Sequence, residues 1–218
     1  MKKIANFALA SIGLIALLGP AQVAVPAHSA SNKSASLVLD QLPVKGKAPK
    51  TGYERSAFSD GWGQIGSCSV RNYILKRDLK KLTYRGNCIV DTGVLTDPYS
   101  SKVINFKYGV GTSIAVQIDH VVALSDAWQK GAQKLTAQQR ENFYNDPLNL
   151  LAVDGPTNSS KGDSDAATWL PPNKAYRCAY VARQISVKAK YKLWVTSAEK
   201  TAIKRVLSTC PKQVLPTS

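Results

Sequence analysis

Proton-transfer chemistry near neutral pH has one obvious candidate in this chain. The sequence contains two histidines, and His28 falls in an N-terminal stretch with the composition of a leader. His120 is therefore the imidazole available to the globular part, and an imidazole changes charge near pH 6.5. Asp119 precedes it directly, at the end of an alternating apolar segment, residues 113–118, that predicts a β-strand. Side chains at a strand end can face a cleft while their backbone stays fixed.

Two asparagines and a lysine follow at short spacings. Asn149 lies within Asp-Pro-Leu-Asn-Leu-Leu, Asn158 comes nine residues later, and Lys161 three residues after that. Carboxylate and amide oxygens are the ligands that hard cations such as Mg²⁺ prefer. Each residue alone also has a structural explanation: a satisfied core histidine, a turn cap at Asn149, a helix N-cap at Asn158 and a surface lysine at Lys161. Their joint order and spacing favour a functional site.

Hydrophobic periodicity predicts the elements that position these residues. Residues 102–108 and 113–118 are expected to pair as a hairpin, followed by a helix over 121–130 and a buried strand or turn over 148–153. Thr136 with Gln139, and Thr196 with Glu199, form capping-box patterns that open helices. The remaining expectations are helices over 35–42, 72–81, 137–145, 158–167, 174–191 and 197–209, and a strand over 88–95.

The N-terminus has the pattern of an export signal. Lys2 and Lys3 precede a mostly apolar run, residues 4–18, which is too short to span a bilayer comfortably. Cleavage is expected after Ala27, with Ala24 or Ala30 as alternatives. The expected organisation is a signal peptide at 1–27, a disordered or extended segment at 28–52 and one domain at 53–218. Within the second segment, residues 28–34 are expected to be disordered and residues 43–52 to form a basic linker. The mature protein should be secreted, without stable membrane association; an uncleaved, tethered form is the alternative.

The mature chain is strongly basic. The formal charge of +15 becomes +13 after removal of Lys2 and Lys3, that is 27 basic minus 14 acidic residues. Residues 174–205 and 71–85 carry most of the one-sided excess. Such a surface attracts polyanions: nucleic acid first, but also anionic cell-wall polymers or membrane headgroups.

An even number of cysteines in an exported chain indicates disulfides. Four cysteines allow three pairings, and local closure favours Cys68 with Cys88 and Cys178 with Cys210. A structural zinc site is the alternative. The sequence contains no Cys-x-x-Cys pair, which disfavours zinc.

Three segments resemble a known family. Residues 118–128 (Ile-Asp-His-Val-Val-Ala-Leu-Ser-Asp-Ala-Trp), 145–155 and 165–173 are similar to the HNH (His-Me finger) endonucleases, and specifically to an exported branch related to the C-terminal domain of GmrSD restriction endonucleases. Thr51-Gly52-Tyr53 and Asp97-Pro98-Tyr99 extend the resemblance upstream. It implies an α+β fold in which a ββα-metal core carries added helices and, here, disulfides.

The resemblance also implies roles. His120 would be the general base and Asn149 would orient its imidazole, while Asp119 and Asn158 would hold one divalent cation. Many relatives carry a second histidine where Asn158 stands, so Mg²⁺ or Mn²⁺ is favoured over Zn²⁺. Independently of the resemblance, Lys161, Arg177 and Arg71 are candidates for contacts with nucleic-acid phosphates, with a simple salt bridge as the alternative for Arg71.

The function expected from the sequence is that of a secreted endonuclease that cleaves DNA with low sequence specificity. RNA is a second expected substrate class. An inactive polyanion-binding protein that acts on DNA or cell-wall polymer is the alternative. A toxin-like nuclease used between cells would share the same chemistry. The sequence leaves the oligomeric state open.

Overall fold

The computed structural model describes Met1 and residues 33–217. Apart from Met1, the predicted signal peptide lies outside the described residues, as do residues 28–32 of the predicted disordered segment. The α-helices of the described part are α1 (Ala35–Gln41), α2 (Val70–Asp78), α3 (Leu124–Gln129), α4 (Ala137–Tyr144), α5 (Gly155–Lys161), α6 (Arg177–Lys190) and α7 (Ser197–Leu207). Its strands are β1 (Gln64–Ile65), β2 (Cys68–Ser69), β3 (Lys80–Arg85), β4 (Ile89–Thr96), β5 (Val103–Lys107), β6 (Val116–His120) and β7 (Leu150–Asp154).

The fold is α+β, as predicted, but the expected hairpin between residues 102–108 and 113–118 is wrong. The strands form three antiparallel sheets with the orders β1-β2, β3-β4-β5 and β6-β7. β5 pairs with β4, whereas β6 pairs with β7, so that His120 faces Leu150 and Val116 faces Asp154. Every residue of β7 is buried. Alternation predicted both strands but carries no information about their partners. β6 is largely buried like β7, whereas β5 is largely exposed.

α5 follows β7 directly and completes a strand-strand-helix unit. The Asp154 carboxylate caps the helix by accepting from the Thr157 backbone N–H. Pro156 lies in the first turn, where its fixed φ suits a helix start. The helix predicted over 158–167 therefore begins three residues earlier and ends at Lys161. The chain between β6 and β7 contains α3 and α4, so these helices form an insertion between the two paired strands.

The main core lies between α1, α6 and α7. Val38 and Leu39 of α1 pack with Tyr180, Ile185 and Ile203. The helix predicted over 35–42 is confirmed, and its burial shows that the folded part begins upstream of the predicted boundary at residue 53. The extended segment that follows is also attached, since Val44 forms a parallel bridge with Val195.

Both predicted disulfides are present, Cys68–Cys88 and Cys178–Cys210, so the zinc alternative for these cysteines is wrong. The second links α6 to the residues after α7. Both predicted capping boxes are formed, at Thr136 and at Thr196. No helix among the described residues combines the length and apolar character needed to cross a membrane.

A buried ionic cluster connects α3 and residue 165 to the C-terminal helices. Lys130 Nζ lies 2.6 Å from Asp126 Oδ1, 2.7 Å from Asp165 Oδ2 and 2.7 Å from Glu199 Oε2. Lys188 Nζ lies 3.2 Å from Asp126 Oδ2 and 2.7 Å from Glu199 Oε1. All five side chains are buried, so each charge depends on the others for compensation.

Candidate active site

The end of β6 opens into a cleft of about 460 Å³, called the His120 cleft below. Its wall contains four of the residues that the sequence singled out: His120, Asp119, Asn158 and Arg71. His120 and Asp119 come from the end of β6, Asn158 from α5 and Arg71 from α2. The strand-strand-helix unit therefore supplies three of the four.

His120 is held as a neutral ring with one defined tautomer. Its Nε2 lies 2.9 Å from the backbone oxygen of Tyr144. A carbonyl oxygen can only accept, so Nε2 carries the proton and the lone pair remains on Nδ1. The ring is 5% exposed and stacks on Trp62 with the centroids 5.9 Å apart and the planes at 6°. Burial lowers the pKa of His120 from 6.5 to about 4, so the imidazole is uncharged at neutral pH.

The role expected for Asn149 belongs to Tyr144 instead. The Asn149 side chain is fully buried, and its Oδ1 accepts from the Val122 backbone N–H at 2.8 Å. Its Nδ2 donates to the Val122 oxygen at 3.3 Å. The amide thus bonds both backbone polar groups of Val122, its N–H and its carbonyl, and makes no hydrogen bond to the imidazole. Asn149 fixes the turn that follows His120, and the Tyr144 carbonyl orients the ring.

Asp119 is held from both sides. Lys161 Nζ lies 2.9 Å from its Oδ1, and the Tyr99 hydroxyl donates to its Oδ2 at 2.6 Å. Lys161 also donates to the His120 carbonyl oxygen at 3.0 Å and is only 1% exposed. The prediction that Lys161 contacts nucleic acid is therefore wrong, because its ammonium is enclosed between two acceptors of β6.

The other predicted polar residues divide between two places. Asn158 is half-buried on the wall of the His120 cleft, where its Nδ2 donates to Gln117 Oε1 at 2.8 Å. Arg71 shares that wall, and burial lowers the pKa of its guanidinium. Arg177 lines a different cavity and donates through Nε to the Pro171 oxygen at 2.8 Å. The structure does not bring Arg177 to the cleft.

Sequence reasoning missed four contributors to this site: Trp62, Arg55, Tyr99 and the Tyr144 carbonyl. Arg55 lines the cleft and donates to the Tyr144 hydroxyl at 3.2 Å. Arg55 and Tyr99 lie in or next to the two upstream segments that carry the family resemblance, and this was the available signal. Nothing in the sequence around Trp62 distinguished it from an ordinary core aromatic.

The charges of the cleft favour an anion together with a hard cation. Arg55 and Arg71 supply positive charge, whereas the nearby Asp163 carboxylate is paired with Lys50 at 3.1 Å. Oxygen donors are provided by Asp119 and Asn158. A carboxylate has about four lone-pair positions, so two hydrogen bonds leave acceptor capacity on Asp119.

This donor set fits Mg²⁺ or Mn²⁺, which retain several waters and need few protein ligands. Zn²⁺ prefers three or four His, Cys or acidic ligands. Within residues 33–217 no three such side chains come together in an arrangement that could hold a metal.

Comparison with known proteins assigns the chain to a family. Residues 64–206 match the model of GmrSD restriction endonucleases, C-terminal domain. Over 205 residues, 93% of this chain and 98% of the relative, the sequence is 37% identical to an uncharacterized secreted protein of Arthroderma benhamiae, in agreement with the predicted secretion. No solved structure matches the chain. The chain therefore belongs to the family of GmrSD restriction endonuclease C-terminal domains.

Proposed function

We propose that this protein is a secreted, divalent-metal-dependent endonuclease that hydrolyses phosphodiester bonds of DNA with low sequence specificity. RNA is the second substrate class that this proposal includes. The observation that carries the proposal is the neutral, tautomerically fixed His120 on the wall of a cleft that also contains Asp119, Asn158 and Arg71. We take β6, β7 and α5 for the ββα-metal core of a His-Me finger nuclease.

His120 acts as the general base. The Tyr144 carbonyl keeps the proton on Nε2, so Nδ1 accepts the proton of the attacking water. The stacked Trp62 ring holds the imidazole plane. A bound phosphate raises the pKa of His120 above the value of about 4 in the free protein, because an anion stabilises the imidazolium.

Asp119 and Asn158 would hold the cation, and when bound it would stabilise the negative charge that develops on the phosphate and leaving oxygens. Lys161 and Tyr99 keep the Asp119 carboxylate in place. Arg55 and Arg71 bind the phosphate by charge-assisted hydrogen bonds. The surplus of basic residues attracts the nucleic acid without reading its sequence.

Incubation of the mature protein with plasmid DNA tests this function. We expect nicking or degradation with Mg²⁺ or Mn²⁺, none with chelator, and a rate about 10²–10⁴-fold lower for His120→Ala, the usual contribution of a general base. Binding of DNA at low salt should survive in the variant. Equal cleavage by His120→Ala would refute the role of this residue, and discrete bands from mixed DNA would refute low specificity.

The high positive charge also favours a second candidate, a polyanion-binding protein without activity. The same assay separates the two functions. DNA retention by the wild-type protein without cleavage under any metal condition would support the binding function.

A further inference from the structure

A second groove adjoins the His120 cleft. It measures about 460 Å³ and is called the side groove below. Its lining includes Ile104, Ile114, Ala115 and Pro156, and Gln117 lines both the side groove and the His120 cleft. The two depressions therefore share a wall.

The two depressions differ in charge. Arg55 and Arg71 line the His120 cleft, whereas among the described residues no lysine or arginine lines the side groove. The one carboxylate of the side groove, Asp154, is already engaged by Thr157 and by Lys102, whose Nζ lies 3.4 Å from Oδ2. An anionic phosphate is stabilised by the arginines of the cleft, whereas Lys102, the cation that reaches the carboxylate of the groove, is already paired with it.

The side groove has an exposed apolar edge that depends on a close backbone approach. Ile114 lies in the turn Ser113–Ala115 and is 66% exposed. A Cβ on Gly155 would lie 2.3 Å from the Ile114 carbonyl oxygen, so glycine is required for the turn to rest on the start of α5. Ile114 is not isolated, because Ile104, Ala115 and Pro156 line the same groove, and contiguous apolar surface of this kind marks interaction sites.

We propose that the side groove binds the sugar and base of the nucleotide next to the phosphate held in the His120 cleft, with Ile114 in contact with the base. The inference rests on the proposed function. The phosphate and the adjacent nucleoside of one nucleic-acid strand then occupy neighbouring depressions, the phosphate in the charged cleft and the nucleoside in the more apolar groove. Aliphatic side chains such as isoleucine contact bases in this way in proteins that enter the minor groove.

A binding measurement tests the inference independently of catalysis. Labelled oligothymidylates, intact or with one abasic residue, are titrated by fluorescence anisotropy against the His120→Ala protein. We expect an abasic trinucleotide to bind about tenfold more weakly than the intact one, the lower end of discrimination by an apolar pocket. Adding Ile114→Ser should remove most of that difference, and Gly155→Ala should reduce it by displacing the turn.

Leu37→Ser is the matched control, because Leu37 is 68% exposed on α1 and lines neither depression. It should leave the discrimination unchanged. Equal binding of intact and abasic oligonucleotides, or unchanged discrimination in Ile114→Ser, would overturn the inference while leaving the proposed nuclease intact. Failure of the wild-type protein to cleave DNA would instead count against the proposed function, and the binding result would still decide the role of the groove.

In the active protein the same preference should appear in the cleavage positions. Phosphates that adjoin an abasic residue on one side should be cut about tenfold more slowly by the wild-type protein and about as fast as other phosphates by Ile114→Ser. Uniform cutting by both proteins would contradict the assignment.

Discussion

Replacing Lys161 by Met tests whether this buried ammonium holds the site together. The substitution keeps a straight side chain of similar length but removes the charge that compensates Asp119. The Lys161 and Asp119 side chains are 0% and 6% exposed, so water cannot replace the lost partner. The donation from Lys161 to the His120 carbonyl is lost as well.

The expected cost follows from this burial. Removing one partner of a buried ion pair costs about 3–5 kcal/mol, because the other charge stays uncompensated. For a domain of 150–250 residues each kcal/mol lowers the midpoint by about 2–4 °C, so the melting temperature should fall by about 6–20 °C. Urea unfolding of the oxidised protein at neutral pH measures the free energy directly.

Lys50→Met is the matched control. Lys50 makes the same kind of ion pair with Asp163, at 3.1 Å, but both side chains are 54% exposed. Exposed pairs contribute about 0–1 kcal/mol, so this variant should unfold within that range of the wild type. A loss below 1 kcal/mol for Lys161→Met, or equal losses for both variants, would refute the reasoning.

A second variant separates charge from packing. Asp119→Asn in the Lys161→Met background removes the orphaned carboxylate while retaining an acceptor for the Tyr99 hydroxyl. The double variant should be more stable than Lys161→Met alone. A double variant that is less stable would show that the uncompensated Asp119 charge is not the cause of the loss.

Three further outcomes are expected. Burial holds the pKa of His120 at about 4, below its ordinary 6.5. Above pH 6.5 the residue is neutral in both states and contributes no pH dependence. As the pH falls from 6.5 to 4 only the unfolded state binds the proton, so the free energy of unfolding decreases by about 3 kcal/mol. His120→Gln should flatten this part of the stability profile measured by urea unfolding, and an unchanged slope would contradict the assignment. Asn149→Ala leaves the backbone N–H and carbonyl of Val122 without this partner and should cost about 2–4 kcal/mol in the same assay, whereas a neutral effect would contradict its role in the turn. Arg71→Gln should weaken the binding of short oligonucleotides at low salt more than Arg177→Gln does, because of the two arginines only Arg71 lines the His120 cleft. Fluorescence anisotropy measures both affinities, and a larger loss of affinity for Arg177→Gln would contradict the placement of the substrate.

Local signals in the sequence predicted much of the fold. The capping residues Thr136 and Thr196 satisfy backbone groups within their own helices, so sequence neighbours suffice to recognise them. The disulfide partners are separated by 20 and 32 residues, and short loops close at low entropic cost. The pairing of β6 with β7 was not predictable in this way, because alternation defines a strand face and not its neighbour.

The site was predicted in composition better than in contacts. Lys161 was expected at the surface because burial of an ammonium is costly, and its partner Asp119 is 42 residues earlier in the chain. Asn149 can bond a side chain or a peptide group equally well, so only the folded backbone determines its role. The orienting group of His120 is a main-chain carbonyl, which every residue possesses and no residue type reveals.

The five-charge cluster of α3, α6, α7 and Asp165 has a consequence for how substrate must be accommodated. Moving α3 or the segment after α5 by one helical turn would separate a buried lysine or carboxylate from its ion-pair partners. Leaving that charge uncompensated would cost several kcal/mol of stability. Both segments line the His120 cleft, so the ion pairs of the cluster oppose their displacement. If the cleft binds nucleic acid as proposed, bending or unstacking of that nucleic acid would supply the change of shape needed for a close fit.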